Sequence, residues 1–250
     1  MIASTLDSLH SYPTRERNRF LYLMWKDPDN YCEWIEEFTS RTISRLSWGS
    51  AHPAPLLRKT TFGLLETISP AGALPNVISW LAHVPEKVSP WKRKERRRHE
   101  LEGKLFKANV DFVNRMMTQN EAQPSFIRTF LEKTISEIPS TRCETSEATS
   151  VVGLMAIAGA LTVGSPIQSF ILAMCHYPQW QKSLQDEIDA VLGGRCPTWN
   201  DRPRLPLLRA VSKEVMRWRP PVPTGMMTFS KYLLTHARRR PDAFKLNEIA

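Results

Sequence analysis

The chain has 250 residues, 42% hydrophobic and 24% charged, which excludes a disordered polymer and leaves one globular unit, with room for a small lobe. Ten glycines exclude a collagen-like repeat, and four cysteines with no C-x-x-C pair exclude a disulfide scaffold and argue against a zinc site. The net charge of +9 is concentrated in Trp91–Lys107 (+5) and Asp201–Ala250 (+7), an asymmetry that suits an anionic partner such as nucleic acid, an acidic membrane or an acidic redox protein.

The N-terminal stretch MIASTLDSLHSYPTRERNRF has no basic segment followed by an apolar one, so it reads as neither a signal peptide nor a membrane anchor. The cysteines are therefore expected as reduced thiols in the cytosol. From Pro28 to Ser47, Tyr31, Trp34, Ile35, Phe38, Ile43 and Leu46 recur at steps of three and four, as on one face of a helix. Asp27 before Pro28 suits its start and Gly49 its end. Between Ala51 and Pro90, Pro53, Pro55, Pro70, Pro75 and Pro85 predict only short helices and turns.

Trp91 to Met117 begins strongly basic and continues with Leu101, Leu105, Phe106, Val110 and Val113 as a helical apolar stripe. Lys92–Arg98 reads either as a nucleic-acid patch or as a solvated helix face. No aromatic platform or zinc finger accompanies it, so no nucleic-acid partner is expected. Val151–Cys175 is uncharged over 25 residues. That length meets the membrane-span criterion, and Ala160 with Gly164 forms a small-xxx-small pair. The competing reading is a central helix buried on all sides, favoured by Pro166, Gln168 and the Ser/Thr content.

Pro178 opens the next helix and Gly193-Gly194 closes it, with Trp180, Leu184, Ile188 and Val191 inward and Asp186, Glu187 and Asp189 toward solvent. Asn200 or Asp201 suits a cap for a short turn through Arg202-Pro203. A last helix runs from Pro206 to Trp218, with Leu207, Leu208, Val211 and Val215 inside, and ends at Arg219-Pro220-Pro221-Val222-Pro223. No strand is indicated. The expected fold class is mainly α, with little or no sheet.

There is no G-x-S-x-G, P-loop or H-E-x-x-H motif, and the six histidines are scattered. Glu214 and Arg217 stand three apart on one helix face. As an isolated E-x-x-R this is a routine surface pair, but its setting is specific: DEIDAVLGG, then CPTWNDRP, then LPLLRAVSKEVMRWRPPVP.

That order of segments resembles the cytochrome P-450 family, the haem-thiolate monooxygenases, and most closely its fungal members. Ala158-Gly159-Ala160-Leu161-Thr162-Val163 stands where the family carries A-G-x-[DE]-T-T on a long central helix over the haem. The resemblance covers most of residues 1 to about 225. It implies a partial P-450-like helical domain over 1–225 and a divergent basic tail over 226–250. The implied activity is oxidation of a small organic molecule in secondary metabolism, with haem, dioxygen and electrons from a reductase. Ala158 and Gly159 would let a flat macrocycle approach, and the Thr162 hydroxyl would relay protons. Glu214 and Arg217 would form a buried structural lock behind the haem.

The departures are equally definite. Leu161 replaces the acidic residue and Val163 the second threonine. The family's F-x-x-G-x-R-x-C-x-G loop is not found before Ala250, so the iron-ligating cysteine is missing in this chain. Cys32, Cys143, Cys175 and Cys196 each read as a buried or incidental thiol, and no other metal site is expected. The chain thus reads as truncated at both ends, without a transmembrane anchor, cytosolic if expressed, and without turnover by itself. The alternative is a non-catalytic basic helical binding protein.

Overall fold

Proline sets several helix starts in this chain, and glycine two of the helix ends. A first-turn proline lacks an N–H that would have had no partner anyway, and its fixed φ suits the helix. Three helices open this way: α4 (Pro90–Thr118), α8 (Pro178–Leu192) and α9 (Pro206–Trp218). Two end on a left-handed glycine: α2 (Tyr31–Trp48) at Gly49, φ 75°, and α8 at Gly193, φ 57°. A side chain at either position would be strained.

The structure is a computed structural model that describes residues 9, 11–68, 75, 77–136 and 145–221. Cys143, the 226–250 tail and the Leu161 side chain lie outside the described residues. The remaining helices are α1 (Ser11–Lys26), α3 (Ala54–Ile68), α5 (Phe126–Ser136), α6 (Thr145–Thr162) and α7 (Gly164–His176). Short 3-10 turns at Pro28–Asn30, Ser79–His83, Glu86–Val88 and Trp199–Arg204 complete the order, and no strand occurs among the described residues. The chain divides into two compact units, Met1–Leu161 and Thr162–Ala250.

In the first unit, α2 to α6 share a core of Trp48, Leu57, Leu105, Phe106, Val110, Val113, Ile127, Val152, Ala156 and Ile157. Leu57, Ile127 and Ile157 are essentially inaccessible, and burial of each contributes about 1.5–3 kcal/mol. Helix α1 is held to α2 differently. The buried Glu16 carboxylate receives Nε–H from Arg41 at 2.5 Å and from Arg45. Burial alone would raise the Glu16 pKa, but the two guanidiniums outweigh it and hold the carboxyl below its ordinary value. The Tyr12 hydroxyl adds a hydrogen bond to the Pro124 carbonyl at 2.6 Å.

Three expectations change. Residues 54–68 form one 15-residue helix, because Pro53 and Pro55 sit at its very start, where proline is tolerated. Pro28–Asn30 is a 3-10 turn ahead of α2, and Asp27 caps nothing with its side chain. The central segment is not one helix. Pro166 has no N–H to give the Thr162 carbonyl four residues back, and its ring crowds that carbonyl. The helical hydrogen-bond pattern is interrupted at Val163, between α6 and α7, while the Val163 backbone keeps helical dihedrals (φ −79°, ψ −30°).

In the second unit, Ala173 and Met174 of α7, Leu184 of α8 and Val211 and Val215 of α9 form the core, with Trp180, Leu207, Leu208 and Trp218 against it. The loop into α9 is fixed by Asp201. It receives the Thr198 N–H at 2.8 Å, the Thr198 hydroxyl at 2.9 Å and Arg195 Nη1 at 2.8 Å. Arg195 above all, and then the Thr198 N–H, hold the Asp201 carboxyl far below the usual aspartate range. A depressed pKa adds stability above the unfolded value of about 4, lost as pH falls below it. The urea midpoint of the chain should therefore fall as the pH is lowered from about 4 to 2. Asp201→Asn should flatten that dependence, and an unchanged dependence in the variant would refute the assignment.

Candidate active site

From Val151 onward helix α6 is apolar on every side, yet only part of it is buried. Ala148, Val152, Ala156, Ile157 and Ala160 enter the core. Val151 (55% exposed), Leu154 (57%), Met155 (44%) and Ala158 lie on the open side, at the three- and four-residue steps of one helix face. Continuing four positions from Ala158 reaches Thr162, the last residue of α6. The expectation of burial on all sides is therefore corrected to burial on one side. Glu147–His176 remains long and apolar enough to cross a membrane.

The neighbouring Gly159 behaves differently from Ala158. A Cβ there would meet Ile43 Cδ1 of α2 at 3.0 Å, so the space left by the missing side chain is used for packing α6 on α2. The Thr39 hydroxyl of α2 reinforces this approach by donating to the Ala160 carbonyl at 3.3 Å. Ala158, not Gly159, is on the open face. Val151, Leu154 and Met155 were missed by motif reading. Counting back from Ala158 in helical steps would have found them.

In the second unit, α9 brings Glu214 and Arg217 together. Arg217 Nε donates to Glu214 Oε2 at 2.7 Å and Nη2 to Oε1 at 2.5 Å, a bidentate pair. Glu214 is fully buried, whereas the Arg217 side chain is 42% exposed, so the expected burial holds for one partner only. Trp218 follows, with Tyr177 against it edge-on at 6.4 Å and the Arg219 guanidinium over its ring at 5.1 Å.

The α6 stripe has the chemistry to face a flat apolar group: branched and thioether side chains and one small residue. Such a face would suit one wall of a haem pocket. Cys32, Cys175 and Cys196 are all exposed and none belongs to this stripe. Among the described residues, no three His, Cys, Asp or Glu side chains gather into a metal site.

Comparison with known proteins agrees with the helix order. Residues 51–232 match the sequence profile of the cytochrome P450 family. Cytochrome P450 monooxygenase 58 of Postia placenta is 31% identical over 206 residues, covering 78% of this chain and 38% of the relative. Cytochrome P450 monooxygenase CLM2 of Gibberella zeae is 31% identical over 223 residues, covering 84% and 42%. A solved zebrafish cytochrome P450 with progesterone superposes with a TM-score of 0.62 at 20% identity, over 86% of this chain and 53% of that one, which speaks for the fold alone. The chain spans about two fifths of the curated relatives it matches. A profile that covers most of the chain, joined to this helix order, shows that the chain belongs to the cytochrome P450 family.

Proposed function

We propose that this chain supplies the central helical part of a fungal haem-thiolate monooxygenase that oxidises a small organic molecule in secondary metabolism, with electrons from a reductase. The observation that carries the reading is the exposed apolar face of α6 from Val151 to Ala158. An apolar stripe of this length on a helix otherwise packed in a core calls for an apolar partner. Haem, when bound, supplies the oxygen-activating chemistry.

The residues of the chain then have separable tasks. Val151, Leu154 and Met155 exclude water and hold an apolar substrate by burial. Ala158 leaves room where a larger side chain would obstruct a macrocycle. Thr162 holds a proton at Oγ1 and passes it on. Leu161 has no ionisable group, so proton delivery rests on Thr162 and solvent. Glu214 and Arg217 keep α9 in one conformation as a structural lock.

A thiolate supplies the electron density that favours O–O cleavage. Among the described residues, exposed Cys32, Cys175 and Cys196 do not suit that role, and none of them is proposed to support monooxygenase turnover. A second reading, a basic helical binding protein, draws on a cleft of about 440 Å³ lined by Pro90, Arg93, Lys94 and Arg97. A haem titration of the purified chain, followed by absorbance, separates the two. Saturable binding with a displaced Soret band supports the first reading, and no binding supports the second.

A further inference from the structure

The acidic residues of α8 do not behave alike. Asp186 is exposed and pairs with Lys182 at 2.5 Å, and Asp189 is exposed. Glu187, expected toward solvent with them, is half-buried and reaches the start of α9. Its Oε1 accepts the Leu207 N–H at 2.8 Å and its Oε2 the Leu208 N–H at 3.0 Å. Because Pro206, the first residue of α9, has no N–H, these are the amides of its second and third residues and the first two N–H groups of the helix. A capping side chain ordinarily meets one of these from the residue just before the helix. That residue here is Leu205, which makes no side-chain cap. The cap comes instead from a different helix, 20 and 21 residues upstream.

Two further features make the bond directional. The carboxylate lies at the positive end of the α9 macrodipole, where negative charge is stabilising. Both of its oxygens are used, so the bond fixes where α9 begins along its own axis as well as how close it lies to α8. A helix is stiff, and Glu214 lies six to seven residues beyond the capped amides, about 10 Å along the axis. A shift at the capped end therefore carries Glu214 and Arg217 with it.

We infer that Glu187 is a positioning residue: its carboxylate caps α9 from α8 and thereby fixes the place of the Glu214–Arg217 pair. The importance of that place for oxidation chemistry rests on the proposed function, whereas the cap and its coupling do not. Amide hydrogen exchange of the 250-residue chain, with no haem added, tests the cap. In Glu187→Ala the Leu207 and Leu208 amides should exchange about tenfold faster, the equivalent of losing a typical cap, with Glu187→Gln between it and the parent. Unchanged exchange at both amides would overturn the inference.

Coupling tests the positioning. The urea midpoint shift caused by Arg217→Ala should shrink in the Glu187→Ala background, because a displaced α9 no longer depends on the pair in the same way. A residue that only adds local stability gives shifts that sum, and that outcome also overturns the inference. If Glu187→Ala does not fold, the same two measurements on Glu187→Gln decide the matter. A chain that binds no haem but passes both measurements would remove the proposed function and leave the inference about Glu187 standing.

Discussion

Arg217→Ala should lower the stability of the chain by about 2–3 kcal/mol, less than the ~3–5 of a wholly buried pair. The reason is the asymmetry of the pair. Glu214 is fully buried, and Arg217 gives it two charge-assisted hydrogen bonds at 2.7 and 2.5 Å. Removing the guanidinium leaves a buried carboxylate without that partner, and the cost is desolvation that is no longer offset. Because the Arg217 side chain is 42% exposed, water can enter the space it vacates and reduce the loss. Arg217→Lys should fall between, since an ammonium keeps the charge but not the planar fork. The measurement is a urea midpoint at constant m-value. A parent-like midpoint for Arg217→Ala would show that the pair contributes nothing to stability.

Gly153→Ala should destabilise by about 1–3 kcal/mol, although alanine is the better helix former by roughly 0.5–1 kcal/mol. A Cβ at Gly153 would fall well inside the contact distance of the Phe106 ring. That ring is buried and stands 6.4 Å from Trp48, so it has little room to retreat. Gly103 of α4 is the opposite case. Nothing lies within 4 Å of a Cβ there, and Gly103→Ala should stabilise by about 0.5–1 kcal/mol. Denaturant midpoints that move in the same direction for the two variants would contradict this packing of α6 on α4.

Helix bounds set by proline and glycine were readable from the residues: Pro178 to Gly193, and Pro206 to Trp218. The E-x-x-R spacing likewise brought Glu214 to Arg217. What periodicity could not show was long-range polar anchoring. Helix α1 carries few inward apolar residues, and beside the Phe20–Phe38 ring contact its attachment includes one buried carboxylate meeting Arg41 and Arg45 of another helix. Glu187 looked like any solvent-facing acid because its partners are backbone amides 20 and 21 residues away. Pro166 signalled a perturbation of the central segment. That the interruption falls at Val163, just past Thr162, follows from which carbonyl loses its donor. Burial of a uniformly apolar helix is equally illegible: sequence assigns α6 no preferred side, and only its neighbours separate Val152 from Val151.

The open face of α6 around Ala158 is proposed as the haem-facing wall. Haem titration of the 250-residue chain against its Ala158→Phe variant tests it most directly. Ala158 is exposed, so a phenyl group there has space and the urea midpoint should stay at the parent value. On the account given, the parent binds haem, and Ala158→Phe weakens that binding by at least about tenfold, the equivalent of 1.4 kcal/mol. Haem binding of equal strength in the two proteins, at equal stability, would place the cofactor elsewhere and contradict the account.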